Sequence, residues 1–370
     1  MHVRRHAHLS RRAHAFGLVL GALAPATPLL TTTTALVAPV VADEGVSNAG
    51  PSAYVPLTPV RLADTRPDSG VGGFTALDTR AVRVVVAGRG GVPANASAVV
   101  VNITAVDTWA PGFVTAFPTG EAMPTASSLN VDQPGRVISN LATVRLGQGG
   151  AIDLVTSADM HLVVDVVGAY TPRPTPVAAG RLETFPGGAR RVLDTRDTAS
   201  PLAAGTVRSL HGRAAGVPAG ATAVVVNLVA TEAQIGFWTA FPIGAALPLA
   251  SPLNIDAAGQ TRSAQAIVAL PAGATSFQVF SMAGGHLGVD VAGWFTGAGA
   301  AVTTAGLFVP ASPQRVLDTR AQFPLAPWGG SEIEFGTGSP FPGTTAAVAL
   351  NITATDPWYM GYVTVHPAGV

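Results

Sequence analysis

Ala98-Val-Val-Val-Asn102-Ile-Thr104 is a run of apolar and β-branched residues that one polar residue, Asn102, interrupts. The pattern recurs as Ala223-Val-Val-Val-Asn227-Leu-Val229 and as Ala347-Val-Ala-Leu-Asn351-Ile-Thr353. Short runs of this composition, bounded by Gly, Pro, Asn or Asp, are typical of β-strands, and sustained helical periodicity is absent beyond the first residues. The sequence therefore predicts an all-β protein built from repeats of one module.

Other landmarks recur in the same order. Each repeat begins with an Arg-x-x-Asp-Thr-Arg motif, whose aspartates (64, 194 and 318) lie 130 and then 124 positions apart. A Gly-Phe-Val-Thr-Ala-Phe-Pro segment at 112–118 has relatives at 236–242 and 361–367, and His161-Leu-Val-Val-Asp165-Val-Val-Gly168 has one at 286–293. A Leu-Asn pair occurs at 129–130 and at 253–254. This spacing predicts tandem antiparallel β-sandwich modules of about 125 residues, Ig-like or jelly-roll-like.

The landmarks also predict where the domains lie. We expect a signal peptide over 1–42 and β-modules over 54–172, 182–296 and 307–370, joined by linkers at 43–53, 173–181 and 297–306. The first 42 residues have a basic start, an apolar stretch and small residues for cleavage, as secretory signals do. Pro25 and Pro28 interrupt an apolar run that is too short to span a bilayer. The third module ends soon after its copy of the Gly-Phe segment, which indicates a fragment of a longer protein.

Composition narrows the classes of function. The 370 residues include 21 basic residues, 21 acidic residues and no cysteine. Residues 1–42 hold four arginines and no acidic residue, so the remaining chain has 17 basic and 21 acidic residues and a net charge of −4. A mildly acidic chain without basic clusters argues against nucleic-acid binding. We expect a secreted or cell-surface protein with no membrane span in the mature chain and no disulfides.

Taken together, the motifs resemble a repeat module that is common in exported proteins of actinobacteria and other soil bacteria. The resemblance rests on Arg-Val-Leu-Asp-Thr-Arg, Val-Asn-Ile-Thr-Ala and Val-Asp-Val-x-Gly-Tyr, and it covers about residues 54 to 370. It implies an extracellular β-rich module, often in tandem and often beside other domains. It implies no catalytic activity.

The repeated charged motif has two interpretations. On an extended strand Asp64 and Arg66 lie on one face, so they can form an ion pair that stabilises the first strand of each unit. Alternatively, the arginines bind a ligand carboxylate or phosphate. Asp165 is a further candidate partner for Arg61 or Arg66. The structural interpretation, which we prefer, covers nine residues: Arg61, Asp64, Arg66, Arg191, Asp194, Arg196, Arg315, Asp318 and Arg320.

Two histidines carry the remaining chemistry. His161 and His286 each precede an aspartate by four residues and therefore share a strand face with it. Such a pair can belong to a metal site or to a catalytic triad, or it can lie on a half-exposed strand. The sequence has no Gly-x-Ser-x-Gly elbow beside them and no dense Asp-x-Asp-x-Asp loop. We therefore expect no catalytic residue, no metal ligand and no cofactor.

Aromatic residues in one loop are the candidate binding residues. Trp109 lies seven residues beyond Asn102, and Trp358 and Tyr359 occupy the corresponding loop after Asn351. A tryptophan there either packs onto its own domain or stacks on a sugar ring or a protein partner. The sequence favours a non-catalytic structural, adhesive or binding element of the cell surface, with carbohydrate or cell-wall polymer as ligand. The alternative is a set of accessory modules of a secreted hydrolase whose catalytic domain lies outside these residues.

Overall fold

The computed structural model describes residues 33–34, 50–321, 324–327, 329–335, 341–358 and 361–368. Within them the chain forms β-strands and four short 3-10 helices, and antiparallel pairing dominates its sheets. The predicted all-β, antiparallel sandwich fold is confirmed. The predicted signal peptide lies outside the described residues except for the backbone of Thr33–Thr34 (β1), which pairs in parallel with Ser331–Glu332 (β20).

The first unit folds as a sandwich of two sheets, here sandwich 1. Its first sheet has the strand order β2-β10-β5-β8 and its second the order β3-β4-β9-β6-β7. The strands are β2 (Ser52–Asp64), β3 (Thr75–Ala76), β4 (Ala81–Val85), β5 (Ala98–Val106), β6 (Gly112–Pro118), β7 (Leu129–Val131), β8 (Ile138–Arg145), β9 (Ala151–Thr156) and β10 (His161–Pro172). The 3-10 helices of this unit are Pro67–Ser69 and Gln148–Gly150.

The second unit folds as sandwich 2, with the same topology. Its sheets have the orders β11-β19-β14-β17, with β12 also on β19, and β13-β18-β15-β16. The strands are β11 (Leu182–Thr184), β12 (Arg190–Asp194), β13 (Thr206–His211), β14 (Ala223–Ala233), β15 (Gly236–Pro242), β16 (Leu253–Ile255), β17 (Gln260–Ala269), β18 (Ser276–Ser281) and β19 (His286–Phe295). Gly212–Ala215 and Thr319–Ala321 are the other 3-10 helices. Strands β11 and β12 together take the place that β2 has in sandwich 1.

The position of strand β5 between two apolar clusters explains why its sequence is apolar almost throughout. Its odd-numbered residues, such as Val101 and Ile103, belong to the core of sandwich 1. Ala98 and Val100 point the other way, into a second apolar cluster that both sandwiches share. A strand that is covered on both faces needs apolar residues at successive positions, unlike the alternation of a half-exposed strand. Asn102 lies on the face of β5 that is directed at sandwich 2. The apolar pattern of the sequence does not indicate which face of the strand meets the other unit.

The shared cluster is aromatic. Tyr54 of sandwich 1 stacks on Phe295 of sandwich 2 with ring centroids 4.0 Å apart, and Tyr170 stacks on Phe308 of the third unit at 4.3 Å. Tyr54, Tyr170 and Phe295 are almost fully buried. Stacked aromatic rings contribute about 0.5–1.5 kcal/mol beyond the apolar area that they bury. The units therefore pack against one another through a shared apolar cluster.

The segments that were expected to be linkers contribute to this packing. Val177 and Thr303 form an isolated antiparallel bridge, with a hydrogen bond from each N–H to the carbonyl of the other. The buried side chain of Arg181 donates to the carbonyls of Ala301 and Ala305 at 2.9 Å. Buried guanidinium groups require such partners, because desolvation is costly. These segments are ordered connections between the units.

The third unit does not form a sandwich in its described residues. Residues 347–353 and 361–367, which match β5 and β6 in sequence, contain no strand. In sandwich 1, β5 lies between β10 and β8, and β6 lies between β9 and β7. All four of those neighbours follow later in the chain, and the 370 residues contain no counterpart of them in the third unit. Without pairing partners, the backbone groups of these segments cannot form a ladder.

Candidate functional site

The charged motif and the His-x-x-x-Asp segment form one network at the end of sandwich 1. Strands β2 and β10 are neighbours, and their register places Arg61 opposite Asp165. Arg61 donates from Nε to Oδ1 of Asp165 at 2.9 Å and from Nη2 to Oδ2 at 3.3 Å. Of the two arginines considered from the sequence, Arg61 is the partner of Asp165. This bidentate pair joins the first and last strands of the unit.

Asp64 is held by the arginine two residues later. Arg66 donates to it from the backbone N–H (3.1 Å), from Nε (3.0 Å) and from Nη2 (2.6 Å). Burial raises the pKa of Asp64, but the hydrogen bonds and the positive charge of Arg66 lower it by a larger amount. The pKa of Asp64 therefore lies below its ordinary value. For Asp165, burial outweighs the bonds from Arg61 and the pKa is raised. The two carboxylates of one network are thus shifted in opposite directions.

The threonine of the motif orients the histidine. Thr65 Oγ1 accepts the N–H of Leu162 at 2.8 Å and lies 3.1 Å from Nδ1 of His161. The Thr65 hydroxyl has one proton and two lone pairs, so it can hydrogen-bond the imidazole at Nδ1 while it accepts the N–H of Leu162. His161 is therefore anchored by the motif, and its Nδ1 is occupied.

Sandwich 2 repeats the arrangement. Arg191 forms a bidentate pair with Asp290, and Arg196 Nη2 donates to Asp194 at 2.6 Å. Thr195 Oγ1 lies 3.0 Å from Nδ1 of His286 and accepts the N–H of the next residue. The third unit has the ion pairs of Asp318 with Arg315 and Arg320. In all three units the motif residues bind one another.

One acidic residue near the motif was missed from the sequence. Asp107 has φ of +49°, Glu232 of +51° and Asp356 of +47°, in a region that non-glycine residues seldom adopt. Each comes five residues after the strand asparagine of its unit, and that spacing was the available signal. The pKa of Arg66 is raised mainly by its hydrogen bond to Asp64, with a further contribution from the charge of Asp107. Glu232 and Asp356 act in the same sense on the last arginine of their own motifs.

Trp109 stands beside this acid on the surface. Its side chain is 67% exposed, so most of the ring does not pack on its own sandwich. The ring meets His161 edge to face at 6.3 Å. Next to it lies an open depression of about 320 Å³, lined by Arg66, Pro67, Asp68, Ser69, Asp107 and His161. One end of sandwich 1 therefore brings together an exposed aromatic ring, a guanidinium group, carboxylate groups and a histidine.

The other units differ at this position. Trp358 is 76% exposed in the third unit, and Tyr359 lies outside the described residues. In sandwich 2 the loop is one residue shorter and exposes Ile235 instead of an aromatic residue. The candidate aromatic site therefore belongs to the first and third units.

In the described part of the chain, no group of three or more His, Asp or Glu side chains is placed to hold a metal ion. None of the helices in those ranges has the length and hydropathy needed to cross a membrane. A scan against protein-family models and a search of curated proteins found no match to this chain.

Proposed function

We propose that this chain is an exported, non-catalytic repeat protein of the cell surface or its surroundings that binds carbohydrate or cell-wall polymer. The observation that carries the proposal is the exposed ring of Trp109, which lies edge to face with His161, one of the residues that line the depression with Arg66 and Asp107. Sugar rings offer an apolar face for stacking and hydroxyl groups for hydrogen bonds. An aromatic ring beside carboxylate and guanidinium groups complements both features.

The arrangement of the charged groups supports binding over catalysis. Asp64 and Asp165 are buried in ion pairs with arginines, so neither carboxylate is exposed to activate a substrate. A general acid or base must be within reach of substrate and free to exchange a proton. Arg66 is 40% exposed and Asp107 is at the surface, so these two groups are accessible to sugar hydroxyls without leaving the motif.

Retention on insoluble glycans tests the proposal. The full chain and the variants Trp109→Ala, Trp358→Ala and the double variant are incubated with peptidoglycan, chitin and cellulose, and the bound fraction is measured against glycan concentration. Loss of one stacking contact of about 1.4 kcal/mol lowers affinity about tenfold. Asp107→Asn, which tolerates the positive φ, is expected to weaken binding by a smaller factor.

Sandwich 2 offers the matched control. Ile235→Ala removes an exposed apolar side chain from the equivalent loop and is expected to leave retention unchanged. Circular dichroism verifies that each variant keeps its strands. Equal retention of the wild type and the double tryptophan variant on every glycan would refute the proposed binding site.

A further inference from the structure

The three units are related by a repeating set of contacts. Tyr54 N–H donates to the carbonyl of Gly180, Leu182 N–H to that of Gly306, and Phe308 N–H to that of Ser52, at 2.8, 2.7 and 2.9 Å. Tyr54, Leu182 and Phe308 lie at corresponding positions at the start of the three units. Each acceptor lies two residues before the corresponding residue of another unit. The first unit thus donates to the second, the second to the third and the third to the first, which is a closed cycle.

Contacts of the motif arginines follow the same direction, and the described residues show them for two of the three units. The motif arginine Arg61 donates to the carbonyl of Leu249 in the second unit at 3.1 Å. Arg315 of the third unit donates to the carbonyl of Thr125 in the first unit at 2.8 Å. Leu249 and Thr125 both lie two residues before the serine of a Ser-x-Leu-Asn loop, which spans 251–254 and 127–130. The motif arginine of one unit therefore contacts the loop of the next unit in the cycle.

The strand asparagine contacts the same loop. Asn102 donates from Nδ2 to the carbonyl of Ser251 at 3.1 Å, and Asn351 donates to that of Ser127 at 2.5 Å. The aromatic stacks agree with this direction, because Tyr54 of the first unit meets the second unit and Phe308 of the third meets the first. The first unit receives the loop of the second, and the third unit receives the loop of the first.

The corresponding face of sandwich 2 is uncovered. The side chain of Arg191 is 45% exposed against 17% for Arg61, and that of Asp290 is 19% exposed against 1% for Asp165. Arg191 directs its guanidinium at Asp290 and Asp194 within its own unit. The same sequence pattern is therefore covered by a loop in sandwich 1 and open to solvent in sandwich 2.

We propose that this uncovered face of sandwich 2, around Arg191 and Asn227, is the binding surface for the Ser-x-Leu-Asn loop of a complete third unit. Three units then close a ring in which every unit receives one loop and supplies one. Arg191 Nη2 binds the backbone carbonyl two residues before the loop serine, and Asn227 binds the carbonyl of that serine. An aromatic residue at the end of the unit's last strand contacts Leu182, as Phe295 contacts Tyr54.

The loops already present cannot occupy this face without opening the molecule. The loop at 127–130 contacts Asn351, and the loop at 251–254 contacts Asn102 and Ser139. A second copy of this chain has the same two loops in use. Continuity with the two existing interfaces therefore identifies a third loop of the same sequence type as the occupant, since a heterologous contact that repeats by rotation closes into a ring.

A chimeric chain tests the ring. Pro367 corresponds to Pro118, so a second copy of residues 122–171 attached after Val370 supplies the missing loop and its neighbouring strands to the third unit. The chain has no cysteine, so one introduced thiol is a specific probe. Ser263 is exposed on β17, and its counterpart Ser139 on β8 is in contact with the loop at 251–254. The measurement is the maleimide labelling rate of Ser263→Cys in the original and the extended chain.

The expected result is a labelling rate at Ser263→Cys that falls about tenfold or more on extension, because a covered thiol reacts only through local opening. Ser139→Cys is the control for a covered site and labels slowly in both chains. Val207→Cys, exposed on β13 of the opposite sheet, labels quickly in both. Arg191→Ala in the extended chain restores fast labelling at Ser263→Cys.

Three outcomes would overturn the proposal. One is an unchanged labelling rate both with this extension and with an alternative extension that uses residues 246–295 of the second unit. Another is slow labelling in the original chain together with a dimeric mass, which would show that a second copy covers the face. The third is slow labelling in the extended chain that Arg191→Ala does not reverse.

Discussion

Asp64 and Asp165 occupy one charged network, and their replacement by asparagine is expected to have unequal effects on stability. Asp64→Asn leaves one oxygen for the backbone N–H of Arg66, but it places an amide N–H₂ or a neutral oxygen opposite the guanidinium. Hydrogen bonds to charged groups contribute about 1.5–3 kcal/mol each, so the free energy of unfolding of sandwich 1 should fall by about 2–4 kcal/mol.

Asp165→Asn should cost less at neutral pH. The pKa of Asp165 is raised because burial disfavours its charged form more than Arg61 favours it. Asparagine removes that unfavourable charge, while Arg61 retains Asp64 at 3.6 Å and the carbonyl of Leu249 at 3.1 Å. Because Arg61 keeps these two acceptors, its charge is not left unpaired, so the expected cost is below about 1.5 kcal/mol.

A fall in pH should change the destabilisation caused by Asp64→Asn and that caused by Asp165→Asn in opposite directions. The folded pKa of Asp64 lies below the ordinary value of 3.8, so its stabilisation is present above 3.8 and is lost as the pH falls towards the folded value. The folded pKa of Asp165 lies above 3.8, so its stabilising effect is full below 3.8 and is lost as the pH rises through the folded value. Between pH 7 and pH 3 the cost of Asp64→Asn should shrink, whereas that of Asp165→Asn should grow.

Native-state hydrogen exchange with mass spectrometry measures both costs in the intact chain. Amides of β5 report on sandwich 1, and amides of β14 give an internal reference in sandwich 2. Asp68→Asn, an exposed change in the neighbouring turn, controls for the loss of a surface charge. If Asp165→Asn costs as much as Asp64→Asn at pH 7, or if both costs move in the same direction with pH, the account of the network is wrong.

Further predictions concern neighbouring positions. Gly168→Ala should destabilise sandwich 1 by about 1–3 kcal/mol because the added Cβ would overlap the ring of Tyr54. The control Gly220→Ala adds a Cβ in open space and should not be destabilising, and thermal unfolding compares the two variants. Thr65→Val should cost about 1–3 kcal/mol, since it leaves a buried N–H without its acceptor, and Thr75→Val on an exposed edge strand should be neutral in the same assay. A cost for either control equal to that of its partner would refute the corresponding contact.

The sequence predicted the fold class because strands are local. Apolar runs of β-branched residues between turn residues indicate strands whatever their neighbours, and the recurrence of the Asn102 segment indicated one repeated module. The ion pair of the motif could be predicted for the same reason, since Asp64 and Arg66 are only two residues apart in the sequence. The link between Thr65 and His161 was not, because it depends on strand register across 96 positions.

Asn102 shows why contacts between units escape such reasoning. Within its own unit it is one polar residue in an apolar strand, and the sequence does not indicate which group its amide would bind. In the fold its amide group donates to the carbonyl of Ser251, 149 residues away, in another unit. Its copies occupy the same position in each unit, yet Asn102 is buried, Asn227 is half-buried and Asn351 is exposed. Similar local sequences thus have different surroundings in the three units.

The same reasoning applies to residues 347–353. Their sequence has a strand pattern as clear as that of β5, yet they form no strand, since the strands that pair with β5 come from later in its unit. Strand propensity largely reflects packing against neighbours and is weak as an intrinsic backbone preference. The segment nevertheless lies against the loop at 127–130 through Asn351 and Thr353. Contacts between units therefore form here although the segment belongs to no sheet. Side chains such as these asparagines make the contacts that join one unit to the next.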